Sequence, residues 1–342
     1  MRKEKRIVVI YLLIVFICII DFDTVLSGAQ RGVALLVNTV VPALFPFMVL
    51  TTLIVGNLSG TDIKILRPIR KICGLQAGTE IIFILGLLGG YPTGAASVYQ
   101  GWKDGKFSTK QASYMISFCN NAGPAFIFGI CGTFFDNGWC GWCLWSIQIL
   151  SAIYVGRLIG EKQTHEFFHS KQCKIITLTT ALETGIKNMS RICGWVVMSR
   201  IAISLMEEWV SIESGVPGVL LSGVMELTNG CMALDTISSP GARFVCASVI
   251  LSFGGLCVAL QSASVTNGIS FGNYIPAKIL QTICSAFLAI IMQAFLFTQE
   301  KQMPYSILAS IALGLALIII TICVRYLKKR VDFRNKLVYN QI

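Results

Sequence analysis

Gly86-Leu87-Leu88-Gly89-Gly90-Tyr91-Pro92-Thr93-Gly94-Ala95-Ala96 closes an apolar run that begins at Ile81. That run has the character of a chain entering a membrane. It then meets three glycines and one proline within the six residues Gly89 to Gly94. Hydrocarbon offers no hydrogen bonds to freed backbone groups, so a broken helix at membrane depth survives only inside protein or beside a water-filled cavity. The stretch therefore marks a place where the chain handles something polar within the bilayer.

The composition agrees with that reading. Of 342 residues, 54% are hydrophobic and 13% charged, with a mean hydropathy of +0.71. Soluble domains carry about 25% charged residues. The fold class that follows is an all-α polytopic membrane protein, and no polar stretch is long enough to build a separate soluble core. The net charge of +11 does not point to nucleic acid. Lys and Arg gather in short loops beside apolar segments, as the positive-inside rule expects, and no aromatic-rich basic motif of a nucleic-acid binder is present. The expected partners are the lipid bilayer and a small polar solute, and a homo-oligomer is compatible with the class.

A crossing needs about 20 apolar residues. Eight segments qualify: 7–26, 33–57, 112–134, 140–160, 188–207, 244–265, 274–297 and 304–325. The first follows Met1-Arg2-Lys3-Glu4-Lys5-Arg6 and reads as an uncleaved, signal-anchor-like span. No small-residue cleavage site follows it cleanly, and Asp21 and Asp23 come next. Two more apolar pieces, 78–101 and 216–240, are too short or too broken to cross, and read as re-entrant hairpins. Eight crossings leave both termini on one side. The basic residues assign that side to the cytoplasm: Arg2 to Arg6, Lys64 to Lys71, Lys103 to Lys110, Arg157 to Arg191, Lys278, and Arg325 to Lys336 make 24 of the 28 Lys and Arg. Arg31, Arg243 and Lys301 fall outside, and Arg200 lies within a span. The expected location is the cell membrane. The chain divides into an N-terminal span (1–32), a first repeat (33–160) with hairpin 78–101, and a cytoplasmic linker (161–187). A second repeat (188–297) with hairpin 216–240 and a C-terminal span with a basic cytoplasmic tail (298–342) complete it.

With three crossings between them, the hairpins enter from opposite sides. Each is followed by a span broken near its middle, at Ser117-Phe118-Cys119-Asn120-Asn121-Ala122-Gly123-Pro124 and at Ser252-Phe253-Gly254-Gly255-Leu256-Cys257. The two Ser-Phe pairs lie 135 residues apart, and Gly86-Leu87-Leu88 and Gly223-Val224-Met225 lie 137 apart. A nearly constant offset is what inverted-topology repeats leave in a sequence. Half-helix ends then place unpaired N–H and C=O groups near the midplane. The residues expected to bind solute are Gly90, Tyr91, Thr93, Gly94, Asn120 and Asn121 from the first half. From the second come Glu226, Thr228, Asn229, Gly254, Gly255, Gln261 and Ser262. Glu226 stands out because an ionisable group inside a membrane segment is expensive and usually functional. It can serve a coupling ion, H+ or Na+, or a donor on the solute, or pair with Arg200. Glu80, at the mouth of the first hairpin, reads as interfacial.

Two motifs suggest other chemistry. His165-Glu166-Phe167-Phe168-His169 matches the helical zinc pair of metallopeptidases. Its flanks are polar and basic, Lys171 stands where that pattern favours an apolar residue, and no third ligand presents itself, whereas a catalytic zinc needs three. A solvated loop is the better reading. Cys140-Gly141-Trp142-Cys143 has redox spacing without the βαβ context such motifs occupy. No metal, cofactor or enzymatic activity is expected.

The segments Leu88 to Ala95, Phe107 to Ala112 and Ser117 to Gly129 resemble the YlbJ-type sporulation integral membrane protein family. Its members carry a similar Gly-Tyr-Pro-x-Gly-Ala turn and a Phe-x-Asn-x-x-x-Pro-x-Phe-Ile-Phe-Gly stretch. Ser252-Phe253-Gly254-Gly255-Leu256 followed by Gln261 is similar to the family's Ser-Trp-Gly-Gly-Leu segment, with Phe253 in place of Trp. Leu227-Thr228-Asn229-Gly230 fits the family's second hairpin only loosely. The resemblance covers roughly residues 33 to 297. It implies a gate-domain fold of the nucleoside-recognition group, related to nucleoside transporters, in a spore-former's membrane. The function that follows is transport of a small polar, nucleoside-like solute. The alternative is a scaffold or assembly factor of spore formation that keeps a transporter-like fold, and the zinc membrane peptidase is a distant third.

Overall fold

The computed structural model describes residues 2–58, 64–73, 75, 79–106, 108–159, 176–210 and 215–297. No strand occurs among them. The helices are α1 (Arg2–Ile20), α2 (Phe22–Leu35), α3 (Val41–Leu58), α4 (Arg67–Cys73), α5 (Glu80–Gly89), α6 (Thr93–Lys103), α7 (Thr109–Cys119) and α8 (Pro124–Gly129). They continue with α9 (Trp139–Ile159), α10 (Leu178–Val210), α11 (Val216–Met225), α12 (Leu227–Met232), α13 (Pro240–Phe253), α14 (Gly255–Val265) and α15 (Tyr274–Leu296).

Among the described residues, five stretches are long and apolar enough to cross a membrane: Phe22–Ile54, Trp139–Ile159, Leu178–Trp209, Pro240–Val265 and Tyr274–Leu296. Apolar side chains such as Phe16, Ile283, Phe287 and Ile290 stand exposed on the outside, where lipid would cover them. The chain is an integral membrane protein with several spans. The expected crossing 304–325, most of the linker and the His165/His169 pair lie outside the described residues.

The first two expected crossings take a different form. No loop separates them at 27–32. Helix runs from Phe22 through a π turn at Leu36–Val40 into α3, and the break falls at Asp21. Gly28 and Gly32, one turn apart, bury their faces against Ser204 and Val197 of α10. In membranes such small residues mark helix–helix contacts.

The broken elements end where the local chemistry dictates. α7 starts at a capping box: the Ser108 amide donates to Gln111 Oε1 (2.7 Å) and the Gln111 amide to Ser108 Oγ (3.3 Å). It stops at Cys119, and extended residues lead to Pro124, which opens α8. α13 opens on Ser239 and Pro240 and ends at Gly254, whose φ of +79° favours glycine. α5 is capped by Gly90, with φ +74°, and α6 begins three residues later at Thr93. The first hairpin is therefore a helix–turn–helix. The second is α11 joined to the short α12 through Glu226.

These elements repeat. α5, α6, α7, α8 and α9 begin 131 to 136 residues before α11, α12, α13, α14 and α15 respectively. Their packing repeats as well. α7 lies against α9 and α15, as α13 lies against α15 and α9, and α5 packs on α7 and α8 as α11 packs on α13 and α14. α3 flanks α5 and α8, as α10 flanks α11 and α14.

Candidate functional site

The two halves meet at a buried polar cluster. At its centre is Lys278, fully buried on α15. The positive-inside count assigns this lysine to the cytoplasmic side, and the structure corrects that. The residue lies one turn inside the helix and reaches into the protein. Its Nζ donates to the Asn120 carbonyl, to Gln281 Oε1 (2.9 Å) and to the Tyr91 hydroxyl (3.0 Å), with Asn121 Oδ1 3.4 Å away. Gln281 Nε2 donates to Asn121 Oδ1 at 2.8 Å, and Asn121 Nδ2 to the Phe118 carbonyl at 2.7 Å. Asn120 reaches the other way. Its Nδ2 donates to Ser262 Oγ (2.8 Å) and to the Tyr274 hydroxyl (3.0 Å), while its Oδ1 accepts from the Ala95 amide (3.2 Å). On α9, Gln148 Nε2 donates to Ser252 Oγ at 2.7 Å, which ties α9 to the broken helix α13.

Tyr91, in the turn of the first hairpin, bridges to the second half. Its hydroxyl accepts from Lys278 and donates to the Leu251 and Ser252 carbonyls at the end of α13 (3.1 and 3.3 Å). Gly254 leaves room for its ring, since a β-carbon there would sit 2.9 Å from Tyr91 Cζ. A Tyr91→Phe protein should therefore fold but lose about 1–2 kcal/mol of stability. Thermal unfolding in detergent measures this.

Glu226 forms a second cluster. It is 2% exposed and does not pair with Arg200, which instead holds Glu207 at 3.0 Å. The Glu226 carboxylate caps α12. It accepts from the Thr228 amide (2.9 Å), the Asn229 amide (2.7 Å) and Asn229 Nδ2 (2.9 Å). Gly255 follows Gly254 with φ +83° and lies against the Glu226 backbone. Gln261 donates to Cys257 Sγ at 3.2 Å. Glu80 is fully buried in the protein, and neither carboxylate oxygen has a hydrogen-bond partner.

Two cavities adjoin these clusters. A small one of about 30 Å³ lies between the hairpins and is bounded by Gly90, Tyr91, Glu226, Thr228 and Gln261 among others. It has room for about two waters. The larger, about 500 Å³, is bounded by α3, α6, α10 and α14, and its size suits a small organic molecule. Its described lining includes Lys103, Lys187 and Arg191 and no acidic residue. Thr93 and Ser97 line its inner end. The Thr93 hydroxyl is buried with no hydrogen-bond partner.

The structure thus gathers Tyr91, Asn120, Asn121 and Ser262 around Lys278, and Glu226, Thr228 and Asn229 into a separate cap. Gly90 and Gln261 stand at the inner cavity, and Thr93 at the outer one. Gly94 is a packing residue, because a methyl there would run into the Cys119 carbonyl. Sequence reasoning missed Lys278, Gln281, Tyr274 and Gln148. A signal was present: Tyr274, Lys278, Gln281 and Ser285 recur at i, i+4, i+7 and i+11, one face of a helix. Cys140 and Cys143 are free thiols buried on α9. No group of three or more metal-binding side chains occurs among the described residues.

Against known proteins, the chain is 24% identical over 331 residues to the sporulation integral membrane protein YlbJ of Bacillus subtilis (strain 168). The match covers 82% of this chain and 80% of that protein, and it bears out the resemblance to the YlbJ-type family. No protein-family model matches the chain. No solved structure matches it either.

Proposed function

We propose that this relative of YlbJ is a multi-pass transporter of a small polar solute, built from two inverted repeats and serving spore formation. It is not an enzyme on this reading. The observation that carries the proposal is the meeting of two broken half-units around a small cavity bordered by Tyr91, Glu226, Thr228 and Gln261, with a wide basic vestibule beside it. The repeated order and packing of α5–α9 and α11–α15 support two equivalent halves, and broken helices at a midplane site are the general architecture of such transporters. Positive charge at the mouth supports a vestibule that faces the cytoplasm. Three cations without an acid among the described lining favour a solute that carries negative charge.

Purified protein screened for thermal stabilisation by small anionic and neutral polar solutes, then tested for counterflow of each stabilising solute in proteoliposomes, examines this directly. Lys187→Ala with Arg191→Ala should leave the fold intact, since both side chains are exposed. It should weaken the apparent affinity at least about tenfold at low ionic strength, and less in high salt. A protein that no solute stabilises and that moves none across a bilayer is the scaffold instead.

The inverted topology has its own test. Gly94 and Gly230 are unsuitable for cysteine labelling, because each packs against backbone. Lys110, at the start of α7, and Ser238, just before α13, are exposed and stand at the bases of the two hairpins. Lys110→Cys and Ser238→Cys should react with an impermeant maleimide from opposite sides of the membrane. Labelling of both from one side would sink the inverted repeat.

A further inference from the structure

We propose that Lys278 is a tethered cation: its ammonium fills a cation site formed by the C-terminal ends of the two broken helices, so the closed core needs no free alkali ion. The four oxygens around Nζ are the Asn120 carbonyl, the Tyr91 hydroxyl, Asn121 Oδ1 and Gln281 Oε1. All are neutral. The ammonium therefore answers helix ends and dipoles, not an acidic partner.

Asn120 is the residue at which α7 ends. Helix carbonyls with no further turn to bond gather partial negative charge there, which favours a cation. The second broken helix contributes through Tyr91. Its hydroxyl donates to the Leu251 and Ser252 carbonyls at the end of α13 and turns its own oxygen to Lys278. The end of α7 thus meets Nζ directly, and the end of α13 acts on it through the Tyr91 hydroxyl. In transporters with discontinuous helices, unwound carbonyls and half-helix C-termini are where Na+ or H+ is coordinated. Here a side chain from α15 supplies the charge, and Gln281, one turn further along the same helix, completes the shell. On the transport reading above, no alkali ion would then have to travel with the solute. The test below does not depend on that reading.

Removing the side chain empties the site and leaves its oxygens facing one another. The experiment measures the thermal midpoint of purified protein in sodium, potassium, N-methylglucamine and methylammonium chlorides at equal ionic strength. The full-length protein is expected to unfold at the same temperature in all four. Lys278→Ala is expected to unfold at least about 5 °C lower in N-methylglucamine, and to recover in a saturable manner with sodium, potassium or methylammonium. Lys278→Met fills the space with an apolar chain and should be destabilised without recovery. If the alanine protein does not fold, Lys278→Gln, whose shorter head leaves the Asn120 carbonyl unmet, carries the same comparison. An alanine or glutamine variant indifferent to all four cations overturns the proposal. So does a methionine variant as stable as the parent.

Discussion

Gly94→Val is expected to leave little folded protein, and the reason lies in backbone, not side chains. A β-carbon at Gly94 would collide with the Cys119 carbonyl and lie 2.9 Å from Asn120 Cα. Gly86, on α5 beside Gly94, faces the same carbonyl, and Gly90 faces the Gly123 amide, 2.9 Å from where its β-carbon would sit. The first hairpin is thus pressed along its length onto the break of α7. Over-packing commonly costs about 1–3 kcal/mol when a neighbouring side chain can move aside. Here the obstacle is the chain that positions Asn120 and Asn121, so the hairpin must lift away. Lifting it would also break the bond from the Ala95 amide to Asn120 Oδ1 and the contacts of Tyr91. A loss of about 4 kcal/mol or more follows, a large share of the roughly 5–15 kcal/mol that holds a typical fold. The comparison is with Gly138→Val, an exposed position where a β-carbon meets nothing within 4 Å. The monodisperse fraction in detergent and the thermal midpoint report the result. Equal yields and midpoints for the two proteins would show that the packing is not as described.

The same glycines explain why the core was legible before the structure. Glycine and proline interrupting apolar runs have few explanations in a membrane, so the breaks at 89–94, 120–124 and 254–255 announced themselves. The nearly equal offsets of Ser117-Phe118 from Ser252-Phe253 and of Gly86 from Gly223 pointed to a repeat. Side-chain partners were less legible. Lys278 lies close to the start of its span, where a count of positive charges treats any lysine as loop. Only the helical register of Tyr274, Lys278, Gln281 and Ser285 tells that it points inward. The polar run Ser27-Gly28-Ala29-Gln30-Arg31-Gly32 looks like a loop in one dimension. It is helical because Gly28 and Gly32 lie one turn apart and let α10 approach. The zinc-like pair His165 and His169 falls outside the described residues.

Glu226→Ala should be the most damaging single side-chain truncation in the second half. The carboxylate meets two backbone amides and one side-chain amide in a fully packed setting. Alanine leaves all three donors unmet, and each unsatisfied buried donor costs about 1–3 kcal/mol. Water entering the adjacent cavity would recover part, so a net loss of about 3–5 kcal/mol is expected. Glu226→Gln keeps one acceptor oxygen but turns an NH2 toward donors, and should lie between alanine and the parent. Arg200→Ala provides the contrast. Its pair with Glu207 is partly exposed, and such pairs contribute about 0–1 kcal/mol. If the carboxylate depended on Arg200, as the sequence alone allows, both variants would fall together and the double variant would lose no more than either. With the cap as drawn, Glu226→Ala falls alone and the two losses add. The double variant's thermal midpoint in detergent separates the cases, because an ion pair removed from either end is lost once, whereas a helix cap and a distant surface pair are lost independently.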